Sequence, residues 1–184
     1  MKLILASASP RRKEILATLG LPFEVIPADI PENIFHFEDA RSVALEKARF
    51  IASSHPDSVV LGADTIVVQD QIILGKPDSL QHAKAMIQAL SGKTHSVYTG
   101  VALVRSVQEI EITDLIETRV TVQEISGREI ERYLSEEHVL DAAGAYKIQG
   151  GFSRFIDRIE GDYWNVVGLP LSWVYQNLKF FFPF

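Results

Sequence analysis

Asp64 is the acidic side chain whose surroundings in the sequence most favour a chemical role. It interrupts an apolar run, with residues 59–61 before it and residues 66–68 after it. A carboxylate in such a run is costly to bury unless it is paired, hydrogen-bonded or bound to a metal. Two interpretations stay open on this pattern. One is a catalytic or metal-binding carboxylate, and the other is an aspartate at a strand end that bonds to the backbone.

The segment from Ser7 to Arg12 is the strongest candidate for an anion site. Ser9 has the character of a helix N-cap, and Pro10 would occupy the first helical position. Backbone N–H groups at a helix start attract anions, whereas Arg11 and Arg12 there oppose the helix dipole. A bound anion would reverse that penalty. The alternative is that both guanidinium groups extend into water.

Other polar side chains stand where a nucleotide could use them. Lys47 falls on the apolar side of a predicted helix, so it must reach for water or meet an anion. Lys76 precedes Pro77, which favours an extended backbone at the lysine. Gln149 lies in a glycine-rich segment and can donate and accept, which suits a base edge, although a loop glutamine in water is equally compatible. Glu32, taken alone, would be a solvated loop residue.

The composition excludes several kinds of chemistry. The 184 residues include no cysteine, which excludes thiol nucleophiles and disulfides and is weakly consistent with a reducing compartment. The five histidines lack metal-ligand spacing, so any metal would be a hard cation held by oxygen ligands, such as Mg²⁺ or Mn²⁺. Residues 91–94 read SGKT, but Ile87 stands where a P-loop needs glycine, and the segment ends a helix rather than opening one.

Charge and hydropathy limit the partners. The net charge of −6 argues against a general nucleic-acid binder but leaves room for a compact anionic substrate. No stretch approaches 18 apolar residues, so we expect no transmembrane helix and no membrane partner. The apolar run at the N-terminus is too short for a secretory signal. The C-terminal segment FFFPF, residues 180–184, suggests a tail packed on the body or on a neighbouring subunit, with a membrane contact as the alternative.

The elements that must position these residues predict a mixed α/β fold. Long adjacent β stretches favour a mixed sheet with helices packed on it. Asp78 is the expected N-cap of the third helix, and Ser126 with Glu129 forms a capping box before the fourth. Residues 152–159 are predicted to be extended and residues 162–170 to form a loop. Strands are expected over residues 2–6, 23–26, 58–68, 72–74, 95–105 and 109–123, and helices over residues 10–20, 40–53, 79–90, from 126 onward and 169–179.

The order of the motifs resembles that of the Maf family of nucleotide pyrophosphatases. In chain order they are LASASPRRKEIL, a glutamate after Pro31, LEKA, GADTIVV, LGKP, LSGKTHSVYTGVAL, ETRVTV, AGAYKIQG and NVVGLPL. They extend from Leu3 to about Leu178. The resemblance implies one domain over residues 1–184, with a twisted mixed sheet, flanking helices and two lobes around a cleft, as in inosine triphosphate pyrophosphatases. It also implies a cytoplasmic enzyme that uses Mg²⁺ or Mn²⁺, and we expect a homodimer.

The resemblance assigns roles within one site. It implies cleavage of a nucleoside triphosphate to the monophosphate and pyrophosphate, with Asp64 as the proton acceptor. The family's substrate-specificity positions correspond to Arg11, Thr65 and Gln149, a combination similar to the dTTP and UTP branch. Ser7, Arg12, Lys47 and Lys76 match positions expected to contact phosphate. Glu32 and Asp64 are the expected metal ligands.

Two other functions stay open. The substrate could be a modified nucleotide such as 7-methyl-GTP, or the protein could be a nucleotide-sensing regulator of septum formation with little turnover. The chain also departs from the family pattern at Ala142, where a lysine is usual between Asp141 and Ala143. Any role of that lysine in phosphate contact or loop ordering is therefore in doubt here.

Overall fold

The computed structural model describes residues 1–183. Its strands are β1 (Leu3–Leu5), β2 (Phe23–Val25), β3 (Val59–Gln69), β4 (Ile72–Leu74), β5 (Thr94–Arg105), β6 (Ile110–Val122) and β7 (Ile156–Glu160). Its α-helices are α1 (Pro10–Ala17), α2 (Asp39–Ser54), α3 (Leu80–Leu90), α4 (Gly127–Glu136), α5 (Tyr163–Val167) and α6 (Leu171–Leu178). Short 3₁₀ helices occupy Ser106–Gln108, Ala143–Ala145 and Gly151–Phe155.

The strands form one mixed sheet in the order β2-β1-β3-β5-β6-β7, with β4 paired to β3. Strand β1 is parallel to both β2 and β3, whereas β4 runs antiparallel to β3 and β7 antiparallel to β6. The predicted fold class, a mixed sheet with flanking helices, is therefore confirmed. The last residue of the FFFPF segment, Phe184, lies outside the described residues.

The chain divides into two compact units. The first contains Met1–Thr65, Thr99–Ile116 and the described residues from Gly168 onward, and the second contains Ile66–Tyr98 and Glu117–Val167. The first has a core in which α2 packs on the sheet through Ile4, Ala44, Ala48, Val60 and Ala102. The second has its own core, in which Tyr133, Tyr146, Phe152 and Phe155 pack together with aliphatic residues of α3 and β6.

Two glycines allow helix α2 to lie directly against the sheet. A Cβ atom at Gly62 in β3 would overlap the carbonyl oxygen of Ala44, and one at Gly100 in β5 would overlap that of Ala40. The helix backbone is therefore in contact with both strands. This close approach places the buried face of α2, which includes Lys47, next to the middle of β3.

Several local predictions were correct and others were wrong. Ser9 caps α1 through a bond from the Arg12 N–H, and Ser126 and Glu129 form the predicted capping box. The cap of α3 is Ser79 rather than Asp78, because the Ser79 side chain accepts the His82 N–H while the Asp78 carboxylate accepts the Ser79 hydroxyl. Residues 152–159 begin as a 3₁₀ helix before β7, and the predicted loop over 162–170 contains helix α5.

Candidate active site

The first unit contains a buried ion-pair cluster around Lys47. The Lys47 ammonium lies 2.7 Å from Asp64 Oδ1 and 2.6 Å from Glu32 Oε1. Asp64 is 5% exposed and Lys47 6%, whereas the Glu32 side chain is 48% exposed. One lysine therefore neutralises an enclosed carboxylate and an open one. Burying Asp64 in an apolar run would be costly if the carboxylate had no partner. The ion pair with Lys47 offsets that cost.

This cluster resolves the alternatives for Lys47. Its position on the apolar face of α2 required it either to reach water or to meet an anion. It meets the chain's own carboxylates, Asp64 from β3 and Glu32 from the loop before α2. The same contacts show that Asp64 is a side-chain ion-pair partner rather than a strand-end residue bonded to the backbone alone.

A second cluster holds the Arg12 guanidinium. Its Nε donates to the Gly168 carbonyl at 2.8 Å, Nη1 to Ser7 Oγ at 3.1 Å and Nη2 to Thr65 Oγ1 at 3.0 Å. Arg12 is half-buried, and burial lowers the pKa of its guanidinium, although Asp64 and Glu32 raise it. The guanidinium nevertheless stays charged, because arginine side chains are not deprotonated in folded proteins.

The bonds of Arg12 and Ser7 leave specific groups for a ligand. An arginine has five N–H donors, and three are used by these bonds within the described part of the chain. Ser7 Oγ accepts the Ser9 N–H at 3.3 Å as well as Arg12 Nη1, so its hydroxyl hydrogen is the group left to donate. An anion at the start of α1 would therefore meet donors from both side chains, in addition to the backbone of the first turn.

Two members of the Arg12 cluster were not predicted from the sequence. Thr99 is fully buried in β5, and its Oγ1 lies 3.0 Å from Thr65 Oγ1. Gly168 accepts from Arg12 through its carbonyl and has φ +130°, a conformation that favours glycine. Both lie in the motifs THSVYTG and NVVGLP, but a backbone acceptor 156 residues from its donor leaves no local signal.

The other predicted residues are distributed over the two units. Arg11 is half-buried in the first turn of α1, in the first unit. Lys76 and Gln149 are exposed and belong to the second unit. Each unit thus holds part of the predicted set. The structure brings Ser7, Arg12 and Thr65 together in one cluster and Glu32, Lys47 and Asp64 together in another, and the roles of all nine residues stay predictions.

Ala142, at the position of the usual lysine, is buried in the second unit. A cation does exist five residues further on, where Lys147 pairs with Asp141 at 2.8 Å between Nζ and Oδ1. That ion pair joins the two ends of residues 141–147, just before Gln149. It therefore orders this loop, which is one of the roles considered for the lysine that is missing at position 142.

The donor set is compatible with a hard divalent cation. Within residues 1–183 no group of three or more His, Cys, Asp or Glu side chains could hold a metal ion. Mg²⁺, however, is commonly bound by one or two carboxylates together with substrate phosphates. Asp64 and Glu32 supply two carboxylates that face the same ammonium nitrogen.

No helix among the described residues is long and apolar enough to cross a membrane.

Comparison with known proteins extends over nearly the whole chain. The model of the Maf-like protein family matches residues 2–181. A dTTP/UTP pyrophosphatase from Bacillus anthracis is 47% identical over 184 residues, covering 98% of this chain and 95% of that protein. One from Bacillus cereus is 46% identical and covers 98% and 90%, respectively. The solved structure of the Staphylococcus aureus Ham1 protein superposes with a TM-score of 0.53 at 11% identity, covering 97% of this chain and 98% of that one. This last likeness concerns the fold alone.

Proposed function

This chain belongs to the Maf family, and on that premise we propose that it hydrolyses dTTP and UTP to the nucleoside monophosphate and pyrophosphate. The relatives that carry the name dTTP/UTP pyrophosphatase are nearly half identical over almost the full length. The observation that supports the chemistry most directly is the enclosed Asp64 carboxylate, charge-paired with Lys47 and next in sequence to a residue of the Arg12 cluster.

Asp64 is proposed as the general base. A water whose proton passes to Asp64 attacks the α-phosphorus, the bond from that phosphorus to the bridging oxygen breaks, and pyrophosphate leaves with the electron pair. One oxygen of Asp64 contacts Lys47, which fixes the orientation of the carboxylate. The other oxygen is the proposed proton acceptor. Lys47 also offsets the negative charge of two carboxylates that would otherwise repel a polyphosphate.

The phosphate groups are proposed to bind at the start of α1. Arg12, Ser7 and the backbone of the first turn offer donors there, and Arg11 adds a second cation. Positioned donors of this kind stabilise negative charge as it moves onto the leaving group. Lys76 is proposed to contribute a further cation, with Arg11, Thr65 and Gln149 governing the choice of base. These assignments rest on the family positions.

Asp64 and Glu32 would hold a Mg²⁺ or Mn²⁺ ion together with substrate oxygens. Such an ion, when bound, supplies charge neutralisation at the triphosphate. Oxygen ligands suit either cation, and the two carboxylates already face one positive charge, that of Lys47.

We also propose that residues 1–184 act as one domain in the cytoplasm and that the protein is a homodimer. The family match runs through both compact units, and Phe180 is 78% exposed beside an apolar surface that includes Phe181 and Ile112. Exposed apolar groups of this kind suit a subunit contact. Sedimentation equilibrium at several protein concentrations tests the dimer.

The decisive experiment is a substrate panel. Purified protein is incubated with dTTP, UTP, CTP, dATP, GTP and 7-methyl-GTP, each with Mg²⁺ or Mn²⁺, and pyrophosphate release is measured. We expect the highest kcat/KM for dTTP and UTP. A preference for 7-methyl-GTP would contradict dTTP and UTP as the substrates and would indicate a pyrophosphatase for modified nucleotides. If every nucleotide binds and none is hydrolysed, the proposed enzymatic activity is refuted. That result would favour a nucleotide sensor, such as a regulator of septum formation.

A further inference from the structure

Glu137 is a charged residue with no assigned role in the proposed site, yet it bonds to the segment that carries Gln149. It is the C-cap residue of α4, a position where a negative charge opposes the helix dipole. Its side chain is half-buried, and its Oε1 accepts the Gly151 N–H at 2.7 Å. The helix therefore gains nothing from this charge, and the carboxylate instead holds the backbone two residues after Gln149.

Gln149 lies in a tight turn that is fastened on both sides. The Gly150 N–H donates to the Lys147 carbonyl at 3.0 Å, so Gln149 is the third residue of a four-residue turn. Ile148, just before it, is 4% exposed, whereas Gln149 itself is exposed. The next backbone donor along the chain, the Gly151 N–H, is the one that the carboxylate accepts. The exposed glutamine is therefore held between a buried side chain and a charge-assisted hydrogen bond.

The glycine at position 151 makes room for this carboxylate. A Cβ atom at Gly151 would lie 2.7 Å from Glu137 Oε1, and its three nearest heavy atoms would all belong to Glu137. Gly151 has no positive φ, so the close approach of the carboxylate is what favours glycine there. Both carboxylate oxygens also lie 3.4 Å from the Cβ position of Gly150. Glu137 is thus packed directly against the end of the turn.

We infer that Glu137 is a positioning residue for base selection, which fixes the turn that presents Gln149 to the base. This inference rests on the proposed function, in which Gln149 governs the choice of base together with Arg11 and Thr65. Glu137, Gly151 and Gln149 all belong to the second unit, whereas the proposed phosphate donors at the start of α1 belong to the first. Loss of the Glu137 contact should therefore change the choice of base and leave phosphate binding as it is.

The test measures base preference, defined as kcat/KM for UTP divided by kcat/KM for CTP. In Glu137→Ala this ratio should fall roughly fivefold, because the turn loses a bond to a charged acceptor and loosens. Glu137→Gln keeps an acceptor oxygen and should stay within about twofold of wild type. If wild type hydrolyses no nucleotide, the ratio is taken from the Kd values of UTP and CTP. An unchanged ratio in Glu137→Ala would overturn the inference.

Glu136→Ala is the matched control. Glu136 is the adjacent acid of α4, and its carboxylate bonds to Arg132 and Arg154 on the surface. Its removal should leave base preference unchanged, and an equal loss in Glu136→Ala would contradict the inference. Inorganic triphosphate, which has no base, supplies a second control. Its Kd for Glu137→Ala should stay within about twofold of wild type, and a rise of about tenfold would show that Glu137 acts on the phosphates instead.

Gly151→Ala tests the same contact from the other partner. The added methyl group should displace the flexible Glu137 carboxylate and lower base preference as Glu137→Ala does. In a Glu137→Ala background the methyl group no longer meets the carboxylate, so Gly151→Ala should have no further effect. Effects of the two substitutions that are additive in free energy would contradict the inference.

Gln149→Ala separates the inference from the proposed function. If Gln149→Ala loses base preference and Glu137→Ala keeps it, the inference alone fails. If Gln149→Ala keeps base preference, Gln149 does not read the base, and that part of the proposed function fails together with the inference. Amide hydrogen exchange, followed by NMR without turnover, measures the positioning directly. The Gly151 N–H should exchange roughly tenfold faster in Glu137→Ala, and an unchanged rate would refute the role of Glu137 in holding the turn.

Discussion

Lys47 lies between an enclosed and an open carboxylate, and this asymmetry gives Asp64 and Glu32 different properties. Asp64 lies almost entirely out of solvent, whereas nearly half of the Glu32 side chain is exposed. A charge-neutralised, enclosed carboxylate suits a fixed proton acceptor, and an open one suits a ligand that must exchange partners. This difference in exposure supports the proposal of Asp64 rather than Glu32 as the proton acceptor, while both acids are proposed to hold the cation.

Asp64→Asn removes the proposed proton acceptor with little change in shape. We expect kcat for pyrophosphate release from dTTP to fall by roughly 10²- to 10⁴-fold, the usual contribution of a general base. Circular dichroism should show an intact fold, because Lys47 keeps Glu32 as a partner. Asp114→Asn is the control, since Asp114 is an exposed strand residue. Near-normal turnover by Asp64→Asn would exclude Asp64 as the base.

Lys47→Met tests whether the two carboxylates need a cation for stability. The substitution leaves Asp64 enclosed without its counter-charge, so the free energy of unfolding should fall by about 3–5 kcal/mol. A cation that binds the folded protein restores stability by mass action. Added Mg²⁺ should therefore raise the melting temperature of Lys47→Met more than that of wild type.

Thermal melts with and without Mg²⁺ measure this difference. Lys84→Met is the matched control, because Lys84 pairs with Glu131 on the surface and an exposed pair contributes little. Its melting temperature should stay close to that of wild type at either Mg²⁺ level. Equal Mg²⁺ effects on wild type and Lys47→Met would argue against Asp64 and Glu32 as cation ligands.

Single residues show the limit of reasoning from the sequence. An inward-facing lysine on α2 required an anion or water, and that much was predictable from helical periodicity. The identity of the anion was not, because Asp64 and Glu32 lie on other elements. The hydrogen-bond partners of Thr65 could not be predicted either, since Thr99 and Gly168 come from distant segments.

At the scale of elements, the contact between α2 and the sheet determines whether Lys47 can reach Asp64. Gly62→Ala places a methyl group against the α2 backbone at the Ala44 carbonyl. Because backbone cannot move aside as a flexible side chain does, we expect a loss of about 1–3 kcal/mol or more in the free energy of unfolding. Turnover should also fall, since a displaced α2 moves Lys47 away from Asp64.

Urea denaturation and pyrophosphate release measure the two effects of Gly62→Ala. Gly127→Ala is the control, because a Cβ at Gly127 has no heavy atom within 4 Å and the position opens helix α4. It should be neutral or slightly stabilising, as alanine is the better helix former. A Gly62→Ala protein with wild-type stability would mean that α2 adjusts without cost.

Elements with local chemical signals were predictable, and those that depend on distant partners were not. The capping box of α4 and the β3–β4 hairpin follow from adjacent residues, the hairpin turn being Asp70 and Gln71 with φ of 50° and 67°. Helix α5 was missed, because its Asn165 is fully buried and bonds to the Val97 carbonyl and to Thr118 Oγ1. Such bonds come from β5 and β6 and override a weak local preference.

At the scale of the whole molecule, each compact unit has a buried polar pair in addition to its apolar core. In the first unit it is Lys47 with Asp64, and in the second it is His95 with Tyr146, whose Nε2 and hydroxyl oxygen lie 2.7 Å apart. The first pair is charged and the second is neutral. Changes of pH should therefore affect the two units differently, and His95 provides the means to measure this in the second unit.

His95 is 2% exposed, and its Nδ1 has no hydrogen-bond partner in the described part of the chain. Burial lowers the pKa of His95 from 6.5 to about 4. Between these values the unfolded chain binds a proton that the folded protein does not, so stability is fully present above pH 6.5 and is lost as the pH falls toward 4. The free energy of unfolding that is lost over this pH range through His95 is about 3 kcal/mol.

His95→Gln keeps a donor and an acceptor for Tyr146 but does not titrate. The free energy of unfolding, measured by urea denaturation between pH 4 and pH 7, should therefore depend less steeply on pH in His95→Gln than in wild type. His138→Gln makes the same chemical change at an exposed position and should keep the wild-type slope. Since the carboxylates titrate in all three proteins, the difference between slopes isolates His95. Identical slopes for wild type and His95→Gln would show that the folded protein accepts a proton on His95 as readily as the unfolded chain does.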